Sequence, residues 1–354
     1  MVRQSNLELL RIISMLAIIA GHFYGQTIGH HVKGSIPILI FSSGSRIAVN
    51  LFLMIGVWFM VEKKFEAKRV FKIWNNVWFW SIVLTFATIM MGQQVSTFGC
   101  ITALFPVMFY NLWFASAYIV LLLIAPYINI SCQRLSEVLG RPGGGKIKFF
   151  ISLLSVLTLG QSTYSPALMD TWFCAISYFV FVYIIMWFYK HKYLNLSYNK
   201  WLILFIGLSL YVIMVIIANN ETFMTFRLWK ICSRYLFDYK SFPNFLISAC
   251  IFYFVLKTDI GEIRWINVIA SVSFGVYVIH QIPFFRDYLW FNILRIDSWG
   301  YSDCYDIYFL FVVFGIYLIF GMAEYLRQVL IEKSLVSTKI WQSIMENFNN
   351  IYRL

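Results

Sequence analysis

The chain has 354 residues, of which 60% are hydrophobic and 12% are charged, and its mean hydropathy is +0.73. Soluble domains carry about 25% charged residues, so this composition excludes a soluble globular protein. The net charge of +12 does not indicate nucleic-acid binding, because the aromatic residues lie within apolar runs instead of alternating with a basic stripe. These runs are continuous and about 20 residues long, which predicts an all-α polytopic membrane protein and not a barrel.

The six cysteines are scattered along the chain and form no CxxC pair. This spacing favours neither a disulfide framework nor a zinc site. A metal centre would need more His, Cys or carboxylate groups at one depth than the chain supplies, so we expect no metal. The first apolar run resembles a signal peptide, but it ends on a histidine and lacks a small-x-small cleavage site, so we expect it to be retained.

Apolar runs in chain order predict about ten transmembrane helices. They lie at residues 7–25, 43–62, 72–92, 108–130, 148–162, 170–190, 201–219, 239–257, 266–285 and 305–325. The fifth run is short, and the segment 220–238 is of mixed composition. We predict one integral-membrane domain over residues 1–330, followed by a short cytoplasmic tail over residues 331–354.

Basic residues indicate the orientation of these helices. Most of the 28 lysines and arginines fall in alternate loops, which predicts that both termini are cytoplasmic. Arg69 and Lys72 then lie at the inner start of the third span. They are candidates for binding an anionic substrate, or they serve simply as topology anchors.

Two polar residues in the first span are the strongest candidates for a functional site. Arg11 and His22 are eleven positions apart, which places them on nearly one helical face and roughly 16 Å apart. Polar residues inside a membrane are costly and therefore mark functional sites by default. The alternative is a snorkelling arginine and an interfacial histidine. Glu8 stands three positions before Arg11 and can pair with it.

Further polar residues are expected in the outer half of the membrane, at a depth similar to that of the first-span histidine. Arg46 and Asn50 lie four positions apart and so on one face of the second span. Asn111 and Trp113 lie near the start of the fourth span. His280 lies in the ninth span, where a buried and hydrogen-bonded core histidine is the alternative.

The chemistry that these residues predict is general-base catalysis. A neutral imidazole suits the removal of a proton from a hydroxyl group near neutral pH. The sequence contains no GxSxG elbow, no HExxH and no Ser/His/Asp order, so direct attack by a substrate hydroxyl needs fewer assumptions than a serine nucleophile. The segment RPGGGK at 141–146 lacks the spacing of a phosphate-binding loop.

Three sequence blocks occur in order in the first half of the chain. Arg11 and His22 are separated by ten residues in the first predicted span. The second span contains VNLFLMIGVWF at 49–59. The third opens on the sequence Arg69-Val-Phe-Lys72.

Two further blocks follow in the fourth and ninth spans. These are LWFASAYIVLLLIAPYI at 112–128 and SFGVYVIHQIPFF at 273–285, the second of which contains Gly275, Tyr277 and His280. Taken together and in this order, the five blocks resemble membrane-bound acyltransferase family 3, the polysaccharide or carbohydrate O-acetyltransferase type. The resemblance extends over nearly the whole chain.

The chain departs from the family pattern in two places. Gly56-Val57 stands where the family has a Ser-Gly pair, and Lys72 replaces the second arginine of an Arg-x-x-Arg motif. Lysine keeps the charge but loses the bidentate fork of arginine. We therefore expect a phosphate-bearing donor to be held with weaker geometry.

The resemblance implies transfer of an acyl group, most often acetyl from acetyl-CoA, to a hydroxyl of a cell-surface carbohydrate or lipid-linked glycan. It implies His22 as the catalytic base, with Arg11, Arg69 and Lys72 contacting the acyl-CoA donor or holding the site. It also implies a multi-pass protein of the cell membrane. The residues assigned to substrate binding or site support are Glu8, Arg46, Asn50, Trp113, Tyr277 and His280.

Two other functions remain open at this stage. A transporter or flippase for a glycan intermediate predicts internal repeats and broken helices with Gly or Pro at matching positions, and the sequence shows neither. A non-catalytic subunit of a glycan-assembly complex would leave Arg11 and His22 replaceable. Acceptor specificity is expected in the outer loops 26–42, 220–238 and 286–304, which carry no recognisable motif.

Overall fold

The computed structural model describes residues 4–27, 36–61, 63–109, 112–140, 142, 144–159, 172–194, 196–219, 238–299, 304–332 and 339–351. Within these ranges the chain forms helices and no strand, which confirms the predicted all-α class. The helices are α1 (Ser5–Thr27), α2 (Ile36–Met60), α3 (Ala67–Met90), α4 (Thr97–Leu104), α5 (Trp113–Leu139), α6 (Gly145–Leu159), α7 (Trp172–Lys190), α8 (Lys200–Asn219), α9 (Phe242–Leu256), α10 (Arg264–Ser271), α11 (Ser273–Gln281), α12 (Pro283–Tyr288), α13 (Ile296–Trp299), α14 (Tyr305–Arg327) and α15 (Lys339–Ile351). Short π-helical segments follow α12 at Leu289–Ile293 and α14 at Gln328–Glu332.

In the described part of the chain, the number of full membrane spans is lower than the predicted ten. Among the described residues six helices are long and apolar enough to cross a membrane, namely α1, α2, α3, α5, α8 and α14 with its π segment. A seventh span results if the bent pair Arg264–Gln281 and Pro283–Ser298 counts as one. The apolar helix α9 has 15 residues and is about 23 Å long, which is less than the ~30 Å hydrocarbon core. Apolar composition therefore located helices at the predicted runs but overstated how many span.

The described helices belong to two compact units. The first comprises Met1–Gly21, Leu39–Lys63 and Tyr127–Asn267, and the second comprises His22–Ile38, Lys64–Pro126 and Val268–Leu354. The unbroken helix α1 therefore contributes Arg11 to the first unit and His22 to the second.

In the first unit, side chains at the start of α1 satisfy the end of α9. The last carbonyls of a helix have no partner within it and need one elsewhere. Asn6 Nδ2 donates to the carbonyl oxygens of Val255 and Thr258, both at 2.8 Å. Ser5 Oγ adds a buried hydrogen bond to Asn267 Oδ1 at 3.1 Å. These bonds connect the first turn of α1 to the end of α9 and to α10.

In the second unit, the break between α10 and α11 is held by the last span. The Tyr317 hydroxyl donates to the carbonyl oxygen of Ile269 at 3.1 Å. Since that proton is used, Ser273 Oγ donates to the Tyr317 oxygen at 2.9 Å. The break thus keeps its polar groups paired, which a membrane interior requires.

A sharper bend follows α11. Pro283 begins α12, and the residue before a proline is pushed towards extended backbone. Ile282 accordingly has φ −57° and ψ 122°, and the axes on either side of it differ by 79°. The chain therefore contains a broken helix at this position, which the sequence pattern did not predict.

The predicted cytoplasmic tail contains a helix, α15, that packs on the start of α3. Trp341 and Phe348 contact Phe71 edge-on, with ring centroids 5.4 and 5.5 Å away. The α3 N-cap residue, Glu66, makes no side-chain capping bond, and Asn349 Oδ1 instead accepts from the backbone N–H of Ala67 at 2.8 Å. The cap of α3 is therefore supplied by a residue 282 positions later in the sequence.

Replacement of Asn349 with alanine is expected to lower the free energy of unfolding by about 1 kcal/mol, the typical loss when a helix loses its N-terminal cap. Denaturant unfolding of the purified protein in detergent would measure this. Asn350→Ala is the matched control, because Asn350 is exposed and the substitution changes helix propensity equally. Equal stability of the two variants would contradict the proposed cap.

Candidate active site

Two histidines meet in the second unit. His22 Nδ1 lies 2.9 Å from His280 Nε2, and the ring centroids are 5.1 Å apart with an interplanar angle of 50°. His280 is fully buried, whereas His22 is half-buried. We call these two residues the histidine pair. Although 258 positions separate them in sequence, the two side chains are hydrogen-bonded to each other, and the ring of His22 is the accessible one.

The hydrogen bonds of the histidine pair define its tautomers. His280 Nδ1 lies 2.6 Å from the carbonyl oxygen of Val276, which only accepts, so this nitrogen carries the proton. Neutral His280 then has its lone pair on Nε2 and accepts from His22 Nδ1–H. Neutral His22 in turn has its lone pair on Nε2. The pair is thus arranged so that the basic nitrogen belongs to the half-buried ring.

Neighbouring aromatic residues position His280 within α11. It occupies the last turn of that helix, two residues before the extended Ile282. Tyr277 lies one turn earlier, with its ring perpendicular to the His280 ring at 6.3 Å. Phe114, on α5, contacts Tyr277 at 5.9 Å in the same edge-on geometry. Edge-on aromatic pairs stabilise packing with a defined orientation, so these contacts restrict the imidazole.

An aromatic cluster anchors the end of α1 that carries His22. The adjacent Phe23 is fully buried among Trp290, Tyr305, Tyr308 and Phe309, with ring centroids between 5.2 and 6.2 Å. Because neighbouring side chains on a helix share one backbone, this packing also sets the rotation of His22. The sequence pattern did not indicate this cluster.

The other predicted site residues differ in burial and in the compact unit to which they belong. Asn50 is fully buried in the first unit and donates to the carbonyl oxygen of Tyr239 at 2.8 Å, whereas Arg46, four residues earlier, is exposed. Trp113 is half-buried and contacts Phe114 at 5.7 Å. Asn111 lies outside the described residues. The structure therefore brings together His22, Tyr277 and His280 but separates Arg46 from Asn50 by burial.

Each cation predicted to bind the donor has a carboxylate partner. Arg11 pairs with Glu8 at 2.6 Å in the first unit, and Glu8 is 4% exposed. In the second unit, Arg69 pairs with Glu66 at 2.8 Å. Lys72 Nζ lies 3.0 Å from Glu332 Oε1. A phosphate group that binds these cations would compete with the carboxylates.

Buried charged residues that the sequence pattern did not indicate join α3 to α14. Both oxygens of Glu324 accept from Arg327, at 2.8 and 2.9 Å, and each accepts a further bond from α3, one from Asn76 Nδ2 and one from Trp80 Nε1, both at 2.8 Å. Arg327 also donates to Glu332 at 2.7 Å. We call the following residues the charge cluster: Lys72, Asn76, Trp80, Glu324, Arg327 and Glu332. The carboxylate of Glu324 inside an apolar run was the signal that could have revealed it.

Gly275 connects the charge cluster to the helix that carries His280. A Cβ atom at this position would lie 2.3 Å from Glu324 Cγ, far inside any real contact distance. Glycine therefore permits the close approach of α11 to α14. This gives a physical reason for the glycine in the sequence block that contains Tyr277 and His280.

The described residues contain no group of three or more His, Cys, Asp or Glu side chains that could hold a metal ion. The arrangement offers instead a general base and a second imidazole that orients it. It can remove a proton from a hydroxyl group presented to His22 Nε2.

Fold and site together define a helical, multi-pass membrane protein with a hydrogen-bonded histidine pair. A family model described as an acyltransferase domain matches residues 4–323, which is nearly the whole chain. The protein belongs to this family, acyltransferase family 3, and is a membrane acyltransferase. Comparisons with curated proteins and with solved structures found no match. The matched region ends one residue before Glu324, so Glu324 and Arg327 of the charge cluster lie beyond it.

Proposed function

We propose that this acyltransferase transfers an acetyl group from acetyl-CoA to a hydroxyl of a cell-surface carbohydrate or lipid-linked glycan, with His22 as general base. The observation that carries the proposal is the histidine pair, in which the hydrogen bond from Nδ1 leaves the lone pair of His22 on Nε2. The sugar class, the acetyl group and the acyl-CoA donor come from the family resemblance.

The reaction follows from this tautomer. His22 Nε2 takes the proton of the acceptor hydroxyl while its oxygen attacks the thioester carbonyl carbon. The C–S bond then breaks, and the departing thiolate accepts the proton that His22 holds. The hydrogen bond to His280 strengthens while His22 is an imidazolium, because the donor is then charged.

Loss of the His280 acceptor is expected to lower the turnover rate. His280→Phe keeps a planar ring but accepts no hydrogen bond, and we expect kcat to fall by about 10–100-fold, since hydrogen bonds to charged groups contribute about 1.5–3 kcal/mol. His280→Gln supplies an acceptor oxygen and should retain more activity. Because His280 acts through His22, KM for acetyl-CoA should not change in either variant. Equal kcat values for Phe and Gln would contradict the positioning role.

The basic residues at the predicted inner side support an anionic donor. Lys72 is 55% exposed at its side chain and Arg69 is 27% exposed, so phosphate oxygens have access to both. Glu66 is a weak competitor for Arg69, because exposed ion pairs contribute ~0–1 kcal/mol, whereas Glu332 is 16% exposed at its side chain and also accepts from Arg327, so it competes more strongly for Lys72. Arg11 pairs with the buried Glu8 and is therefore held more firmly. We expect it both to stabilise the first unit and to contact the donor.

One observation favours the alternative of a glycan transporter. The 79° bend after α11 gives the chain one broken helix, and broken helices often carry transporter binding sites. Purified protein in liposomes with radiolabelled acetyl-CoA and a glycan acceptor distinguishes the candidates. Label on an acceptor hydroxyl supports the enzyme, and glycan movement without label supports the transporter. If neither acyl transfer nor glycan movement is observed, the protein is better explained as a non-catalytic subunit.

The acceptor class is tested in cells. Mass spectrometry of surface glycans with and without the protein should detect an added acetyl mass only where it is present. The added mass should disappear in cells that carry His22→Ala at wild-type protein levels. Unchanged glycan masses on removal of the protein would overturn the carbohydrate assignment.

A further inference from the structure

The first unit contains a cavity of about 640 Å³ that shares no residue with the histidine pair or the charge cluster. This volume falls within the range typical of small-molecule sites, ~300–1,000 Å³. We call it the lysine cavity. Its lining residues are Gln4, Trp58, Tyr189, Lys190, Lys192, Leu194, Leu196, Leu256 and Lys257.

The lining of the lysine cavity combines positive charge with apolar surface. It contains three lysines, two aromatic rings and three leucines, and none of the described lining residues is acidic. Such a lining disfavours cations. It matches an anion that carries a substantial apolar or aromatic portion.

Lys190 is held in place at this cavity. Its Nζ donates to the carbonyl oxygen of Trp58 at 2.7 Å and lies 4.5 Å from the centroid of the Trp58 ring. Both contacts orient the ammonium group, which has three N–H donors in all. A cation with restricted rotamers loses less entropy on binding a ligand than a mobile surface lysine does.

Lys192 occupies a backbone position that favours glycine. The N–H of Tyr193 bonds to the Phe188 carbonyl at 2.9 Å, and the N–H of Lys192 bonds to the Tyr189 carbonyl at 3.0 Å. These two bonds form a Schellman motif at the end of α7, with Lys192 at the left-handed position, φ 61°. An L-residue there is strained relative to glycine. The chain therefore has a lysine on the cavity wall at a position where glycine would give a more stable backbone.

We propose that the lysine cavity binds a phosphate ester with an apolar or aromatic portion. Lys190, Lys192 and Lys257 contact the phosphate through charge-assisted hydrogen bonds, while Trp58 and Tyr189 contact the non-polar part. Two sources supply this chemistry: the headgroup of an anionic phospholipid, and the nucleotide end of a soluble acyl donor. The second source rests on the proposed function, and the first does not.

The test compares two probes on the full-length protein in an uncharged detergent. Isothermal titration calorimetry would use short-chain phosphatidylglycerol for the lipid source and adenosine 3′,5′-bisphosphate for the nucleotide source. Lys192→Gly removes the charge and the backbone strain together, so we expect about tenfold weaker binding with an unfolding temperature no lower than wild type. Arg295→Gly is the matched control, because Arg295 is the other non-glycine residue at positive φ among those described, 51°, and does not line the cavity.

Each outcome of this test bears on the proposal. Binding of either probe that weakens in Lys192→Gly and not in Arg295→Gly supports it, and the probe that binds identifies the source. Failure of both probes to bind wild type, or equal weakening in the two variants, overturns it. If the liposome assay finds no acyl transfer while phosphatidylglycerol binds in a Lys192-dependent way, the proposed function fails and the lysine cavity stands.

Discussion

Replacement of His22 with alanine is expected to lower the rate of acyl transfer by about 10²–10⁴-fold, the usual contribution of a general base. The loss should appear in kcat, because the variant keeps every cation that is proposed to contact the donor. The measurement is the transfer of radiolabelled acetyl to an acceptor glycan by purified protein in liposomes. The free energy of unfolding should fall by about 1–3 kcal/mol, because the buried Nε2 of His280 loses its donor, while the neighbouring Phe23 keeps its packing.

His191→Ala is the matched control for this variant. His191 is also at the end of a helix, and its ring stacks on Trp187 at 4.2 Å, but it belongs to the first unit and is no part of the histidine pair. It should therefore transfer acetyl at the wild-type rate. Full activity in a well-expressed His22→Ala protein would exclude His22 as the base.

Replacement of Arg327 with methionine is expected to destabilise the second unit by about 3–5 kcal/mol. The substitution leaves Glu324 as a buried charge with no cation beside it, and such a charge is strongly destabilising. The double variant Glu324→Leu/Arg327→Met should recover much of this loss, since an apolar pair of similar volume often replaces a buried ion pair without penalty. Denaturant unfolding in detergent measures both.

Arg69→Met is the control for the arginine substitution, because its partner Glu66 is 56% exposed and exposed pairs contribute at most ~1 kcal/mol. If the double variant were no more stable than Arg327→Met alone, the hydrogen bonds from Asn76 and Trp80 would be the stabilising contacts of Glu324. Wild-type stability of Arg327→Met would contradict the charge cluster as a structural element.

The positions of the helices could be predicted from sequence because apolar runs are a local property. All ten predicted runs coincide with described helices or helix pairs. Whether a helix crosses the membrane depends on its length and straightness, and these depend on its contacts with neighbouring helices. The ninth predicted run shows this, because Pro283 was visible in the sequence while the 79° bend that it produces was not.

The candidate site was predictable in part for a related reason. His22 is conspicuous because a lone imidazole is costly in an apolar run. Its contact with His280 depends on tertiary packing across 258 residues, so sequence could give both residues a similar depth but not a hydrogen bond. Glu324 was overlooked because one carboxylate hardly lowers the hydropathy of α14. Arg46 and Asn50 share a helical face but differ in burial, which depends on the neighbouring helices and is not visible in a local pattern.

The capping bond between Asn349 and Ala67 has a consequence for biosynthesis. The two residues are 282 positions apart, so α3 is made and inserted long before its capping side chain is translated. During that interval the first N–H groups of α3 depend on water or on lipid headgroups at the membrane surface. The segment that carries Arg69 and Lys72 therefore acquires its final contacts only after residue 349 has been translated, and a ribosome stalled before that residue holds a chain whose third helix still lacks its cap.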